Sequence, residues 1–222
     1  MASKYSASLS HDLFEIVLDR AKYYGGSQYF FKTGREQTCG CGIAGAVDVL
    51  LYREALQTGK FTFSTQDFLE MAENIRKYIP IIPGRGVNSF ILASGLNRYF
   101  RKKGISLRAH WKITRHNKWE ELENMLKKDI PVILAIGNNF PNVWGKKKLN
   151  LYVPDTKNKN PEEKVYKKQQ GVNGHFVVVT AIEDNCLTVS SWGRKYFINI
   201  DEYDRYVAKH SIHLYSNILV IK

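Results

Sequence analysis

The sequence predicts an α+β fold, with a helical N-terminal half packed on a C-terminal antiparallel β-sheet in one domain spanning 1–222. Two observations carry this. Up to about residue 128, apolar side chains recur at helical spacing in segments closed by glycine or proline. From residue 129 onward, short apolar runs rich in β-branched residues follow one another through tight turns. Helices gathered ahead of strands, with no internal repeat, argue for α+β and against an alternating parallel architecture.

The first segment, "LSHDLFEIVLDRAKYY" (9–24), carries Leu13, Ile16, Val17, Leu18 and Ala21 as a stripe that ends at Gly25-Gly26 and predicts a helix. Residues 41–57 predict a second, with Ile43, Ala44, Val47, Leu50 and Leu51 on a broad apolar face and Thr58-Gly59 as its stop. Ser64 followed by Asp67 opens a third, through about Tyr78, where "IPIIPGRG" breaks it. A fourth covers 89–103 before Gly104, and "KWEELENMLKK" (118–128) is a short amphipathic fifth. Then "IPVILAIG" reads as a buried strand, followed by "HFVVVTAIE" (175–183), "CLTVSSW" (186–192), "KYFINI" (195–200) and a closing strand in "LYSNILVIK".

Composition narrows the function. With 222 residues, 44% of them apolar and 24% charged, the chain has the make-up of a globular domain with a sizeable core. No apolar run approaches bilayer length, so no membrane span is expected. The N-terminal stretch lacks an apolar signal core, which predicts a cytoplasmic location. The 33 Lys and Arg against 21 Asp and Glu give +12, a basic surface that favours acidic partners. Part of that charge lies in a predicted basic loop, 146–170, where residues 146–168 hold eight lysines against three acids. No nucleic-acid motif accompanies it, so no specific nucleic-acid binding is expected.

Three cysteines are too few for a disulfide scaffold. Cys39-x-Cys41 is not the usual metal knuckle, and Cys186 has no histidine in ligand spacing, so neither a metal nor another cofactor is expected. The remaining chemistry is nucleophilic. A helix N-terminus lowers a thiol's pKa through its unpaired N–H groups, and Cys41 stands at the first turn of the predicted second helix. Gly42 beside it leaves room for a substrate backbone, whereas Cys39 lies upstream in the loop. Among six histidines, His175 is distinctive, because it follows Gly174 and begins the apolar strand "FVVVTAI", at the mouth of the predicted sheet.

These stretches, "CGIAGAVDVLLY" and "GHFVVVTAIEDNCLTVSSWG", resemble the papain-like cysteine peptidases, and more closely their bacterial C39-like branch. The resemblance covers roughly residues 30 to 205. It implies a papain-like fold, a peptide or protein substrate, Cys41 as nucleophile and His175 as base. It also implies an orienter for the imidazole just before the Ser-Trp-Gly ending and a glutamine that helps hold the oxyanion. Here the chain departs from the pattern. The orienting position holds Ser190 instead of Asn or Asp, with Asp184 the nearest carboxylate, and the glutamine is Gln37, four residues before Cys41. The implied reaction is acyl transfer through a Cys41 thioester. The missing carboxylate leaves open a weakened or inactive peptide-binding module, and the same fold would also host an acyltransferase or deamidase effector.

Overall fold

A computed structural model describes residues 5–82, 84, 86–113, 117–139, 145–155 and 166–222. In chain order its elements are β1 (Ser6–Ser8), β2 (Glu15–Leu18), β3 (Ala21–Tyr24), a 3-10 turn (Gln28–Phe30), α1 (Gly34–Cys39), α2 (Cys41–Thr58), β4 (Thr62–Ser64), α3 (Thr65–Arg76) and α4 (Ser89–Lys103). They continue with β5 (Ala109–Trp111), α5 (Lys118–Leu126), β6 (Val132–Ile136), β7 (Leu149–Pro154) and β8 (Tyr166–Val172). The last are β9 (His175–Glu183), β10 (Cys186–Ser191), β11 (Arg194–Asn199), α6 (Ile200–His210) and β12 (Ile218–Ile221).

The chain is α+β, with about 37% helix and 31% strand and a mostly antiparallel main sheet. That sheet runs β5-β12-β6-β9-β10-β11-β7-β8, with β1 paired to β9. A second, small sheet has the order β3-β2-β4, in which β2 and β4 are parallel. Among the described residues no helix is long and apolar enough to cross a membrane.

The core centres on α2. Its apolar residues surround the axis, and Ile43, Ala46, Val47, Val49 and Tyr52 are all fully buried, as a helix enclosed on all sides requires. It lies against β9 at two glycines. A Cβ on Gly45 would sit 3.4 Å from Val178 Cγ2, and one on Gly42 would sit 3.2 Å from the Phe176 ring. These close approaches set the start of α2 over the start of β9. The helix stops at Gly59, in the left-handed region at φ 73. Ser64 and Asp67 form the expected capping box of α3, and at α4 the Asn88 side chain accepts from the N–H groups of Phe90 and Ile91.

Residues 9–24 are not a helix. They form the β2–β3 hairpin, turned by Asp19 and Arg20 at φ 48 and 70, a two-residue turn whose handedness matches the strand twist. Ile16 then faces the core, and the parallel partner β4 settles β2 as a strand. The basic loop 146–170 is likewise shorter than expected. Leu149–Pro154 and Tyr166–Val172 pair as antiparallel strands, placing Leu149 and Leu151 in the core, while residues 156–165 lie outside the described residues. The stretch holding Gln37 and Cys39, read as loop, is helix α1, started by a Thr33–Glu36 capping box.

Candidate active site

Gly40 ends α1 and begins α2, with no space for a side chain against Glu36 O and the Phe31 ring. This tight junction delivers Cys41 as the first residue of α2, where no side chain caps the helix N–H groups. Across from it, Gly174 at φ +59 feeds the chain into β9, whose first residue is His175. Cys41 and His175 line one cavity of about 10 Å3, room for about one water, together with Gln28, Asp48, Ser190, Ser191 and Trp192. Two larger clefts, sharing Gly86, Val87, Asn138, Gly174 and Phe176, adjoin it. One of about 370 Å3 borders Cys41 and is lined by Thr38, Cys39, Gly86, Asn173 and Gly174. The other, about 350 Å3, borders His175 and is lined by Ile82, Val87, Ala135, Phe176 and Tyr215.

The imidazole is held on two sides. Its Nε2 lies 2.7 Å from Ser191 Oγ, and its ring stacks on Trp192 with centroids 4.3 Å apart at 15°. With the proton on Nε2, Ser191 accepts and Nδ1 keeps its lone pair. Trp192 and Gly193 form the two-residue β10–β11 turn at φ 49 and 70. That turn is anchored by Gly193 N–H donating to Gly26 O at 2.9 Å.

The hydroxyl on the imidazole is therefore Ser191's, not Ser190's, and it meets Nε2. The reason is the pleat. Pairing of β9 with β10 shifts by one residue between Thr188 and Val189, so that Val189 faces Val179 and Ser190 faces Val178. Alternation then puts Ser191 on the face of His175 and Ser190 on the face of Phe176 and Val178, toward α2. Ser190 donates to Tyr24 O at 2.9 Å and lies 3.4 Å from Asp48 Oδ2. Asp184 sits in the β9–β10 turn, nine residues along from His175 and about 30 Å away on an extended strand. It does not share the cavity.

Gln37 is also displaced from its expected role. Its side-chain amide donates to Phe31 O at 2.7 Å, and its own carbonyl accepts from Gln28 Nε2 at 2.5 Å. The glutamine lining the cavity is Gln28, a buried residue in the 3-10 turn capped by Ser27. The signal for it was the Gly-Gly-Ser-Gln run, a turn ending in a glutamine. Cys39 closes α1 and lines the larger cleft without reaching the Cys41–His175 cavity. The three cysteines form no disulfide with one another. Among the described residues no group of His, Cys, Asp and Glu is arranged to hold a metal ion.

Burial controls the electrostatics. It pushes the Cys41 thiol up to about 11, against the Phe176 and Gly42 backbone N–H groups that pull it down. It pushes His175 down to about 3. The resting pair is thus neutral thiol and neutral imidazole. Asp48, two turns along α2 from Cys41, accepts from Gly26 N–H at 2.7 Å, and desolvation raises its carboxyl to about 7. No protein-family model, curated protein or solved structure matches the chain. The functional reading rests on the residues themselves.

Proposed function

We propose that the protein is a thiol hydrolase of papain-like arrangement, a cysteine peptidase cleaving a peptide or amide bond through an acyl-enzyme on Cys41. One observation carries the reading: a cysteine at a helix N-terminus and a histidine held by a hydroxyl and an indole share a cavity with a buried glutamine. Cys41 Sγ attacks the carbonyl carbon as its proton passes to the lone pair of His175 Nδ1. The developing oxyanion takes hydrogen bonds from the Gln28 amide and the N–H groups at the start of α2. The imidazolium gives its proton to the leaving amine, whose bond to carbon breaks. His175 then takes a proton from the attacking water and passes it to the departing Cys41 sulfur, which releases the acid and restores the thiol and the neutral imidazole.

The test uses p-nitrophenyl acetate as an acyl donor, with acid quench and peptide mapping. Acetyl is expected on Cys41, then lost with turnover, and Cys41 acylation is expected to collapse in His175→Ala. Equal acetylation of Cys39, Cys41 and Cys186, or indifference to His175→Ala, overturns the proposal. A second reading, a peptide-binding module on this scaffold, is favoured by the neutral pair and the narrow cavity. It predicts peptide binding in the flanking clefts with no acyl-enzyme.

A further inference from the structure

Asp48 is the one carboxylate among the residues lining the Cys41–His175 cavity, and the reaction written above gives it no role. It is 3% exposed. It lies seven residues after Cys41, on the same face of α2 and about 10 Å along the axis. One oxygen accepts from Gly26 N–H at 2.7 Å, and the other lies 3.4 Å from Ser190 Oγ. Each contact leads to a different part of the site. Gly26 is two residues before Gln28, and its carbonyl accepts from Gly193, the tip of the turn that carries Trp192. Ser190 precedes Ser191, whose hydroxyl meets His175 Nε2. One side chain on the nucleophile's own helix therefore touches both the segment bearing the oxyanion donor and the strand bearing the imidazole's partner.

We propose that Asp48 is the positioning carboxylate of this site: in its ionised form it ties α2, the Gly26–Gln28 segment and the end of β10 together. The proposal deepens the thiol-hydrolase reading and rests on it. When the Cys41 proton moves to His175, a positive charge forms in a dry cavity, where an unpaired charge is costly. That cost is smallest when the groups that meet the charge are already held in place, which is what the tie provides. Ionisation also matters for the tie. A carboxylate accepts from Gly26 N–H and draws the one Ser190 O–H from Tyr24 O, 2.9 Å away, onto its second oxygen, while a protonated carboxyl leaves that hydroxyl on Tyr24.

The ionisable groups around it are few. On α2 there is Cys41 and on β9 His175, both neutral at rest. From β3, Tyr24 presents a backbone carbonyl to Ser190, and burial raises its phenol so that it stays protonated. α3 presents Phe68 toward Gly26. With burial raising Asp48 to about 7, the tie forms as pH rises through neutrality.

The test compares the full-length protein with Asp48→Asn, which keeps shape and one acceptor but not charge. The readouts are the Cys41-dependent hydrolysis of p-nitrophenyl acetate from pH 5.5 to 9 and an amide NMR titration. In the parent, log(kcat/KM) is expected to bend near pH 7, and the amides of Gly26, Cys41 and Phe176 are expected to shift together there. In Asp48→Asn, kcat is expected to fall about 10-fold or more with KM within about twofold, and both features near pH 7 to vanish. An unchanged kcat and pH profile in a folded Asp48→Asn overturns the proposal, as do the three amides titrating independently of one another. Turnover in the parent that survives Cys41→Ala sinks the hydrolase reading alone, and the amide titration still decides whether Asp48 ties the three segments.

Discussion

Asp48→Asn makes a stability prediction of definite sign. A carboxyl normally at 3.8 and held at about 7 in the folded protein binds its proton more tightly when folded than when unfolded. Its contribution is fully favourable below about pH 4 and is lost as pH rises through 7. At about 1.36 kcal/mol per pH unit, the loss reaches about 4 kcal/mol above pH 8, of which about 3 kcal/mol develops between pH 4.5 and 8. Asn at this site has no such loss, and its oxygen still accepts from Gly26 N–H. The variant is therefore expected to match the parent near pH 4.5 and to exceed it by about 3 kcal/mol at pH 8. His175 runs in the opposite direction. Held at about 3 instead of 6.5, it lowers stability as pH falls from 6.5, and this partly hides the Asp48 slope in the parent's own curve. The difference between parent and variant removes the His175 part, so the assay is urea unfolding of both proteins at matched pH values. A difference that stays flat with pH, or a variant that is less stable at pH 8, refutes the reasoning that burial raises this carboxyl.

Three further outcomes follow from the geometry. Gln28→Ala is expected to lower kcat for p-nitrophenyl acetate about 100-fold, the usual cost of losing an oxyanion donor, whereas Gln37→Ala leaves the chemistry within about threefold; equal effects refute the assignment to Gln28. Ser191→Ala strips the partner from His175 Nε2 and is expected to cost about 1–3 kcal/mol of stability by thermal or urea unfolding, together with most of the turnover. An unaltered rate there removes Ser191 from the site. Arg20→Gly relieves a left-handed residue at φ 70 and is expected to raise stability by about 0.5 kcal/mol, where the same change inside a helix would lower it by about 1 kcal/mol, so urea unfolding reads the sign directly.

Arg20 also marks where local pattern misleads. Leu13, Ile16, Val17, Leu18 and Ala21 satisfy a helical stripe, but five apolar residues in a row of this length fit a hairpin as well. What decides is pairing with Thr62–Ser64, more than forty residues away and invisible to local spacing. Helices α2, α3 and α4 were legible because apolar spacing met a start or stop signal at each: Gly59 after α2, Ser64 before α3 and Gly104 after α4. Strands β6 and β9 to β12 were legible because their β-branched runs are bounded by turns. Helix α6 carries an Asn199 cap with Asp201 and Glu202 in its first turn, signals obscured by extending the preceding strand to residue 200. In the cavity, Cys41 and His175 announce themselves locally, one at a helix start and one at a strand start. Ser191 and Gln28 do not. The first depends on a one-residue shift between two strands, and the second on a hydrogen bond to the Gln37 carbonyl.

Burial bears on the proposed chemistry through the same cavity that brings the groups together. A thiol near 11 and an imidazole near 3 keep the proton on sulfur at neutral pH, so a resting ion pair does not form in a space that holds about one water. In the proposed reaction the proton therefore moves only when something else changes the surroundings. A substrate carbonyl entering from the flanking clefts brings the oxyanion into reach of the α2 N–H groups as the imidazolium forms, so the two opposite charges develop together. On this reading, thiol reactivity toward a small alkylating agent stays low at pH 6 while acyl transfer from an ester proceeds, because only the ester supplies the second charge. Iodoacetamide alkylation of Cys41 at pH 6 as fast as that of a thiolate would show a pre-formed ion pair instead, and would place the activation in the resting protein rather than in the encounter with substrate.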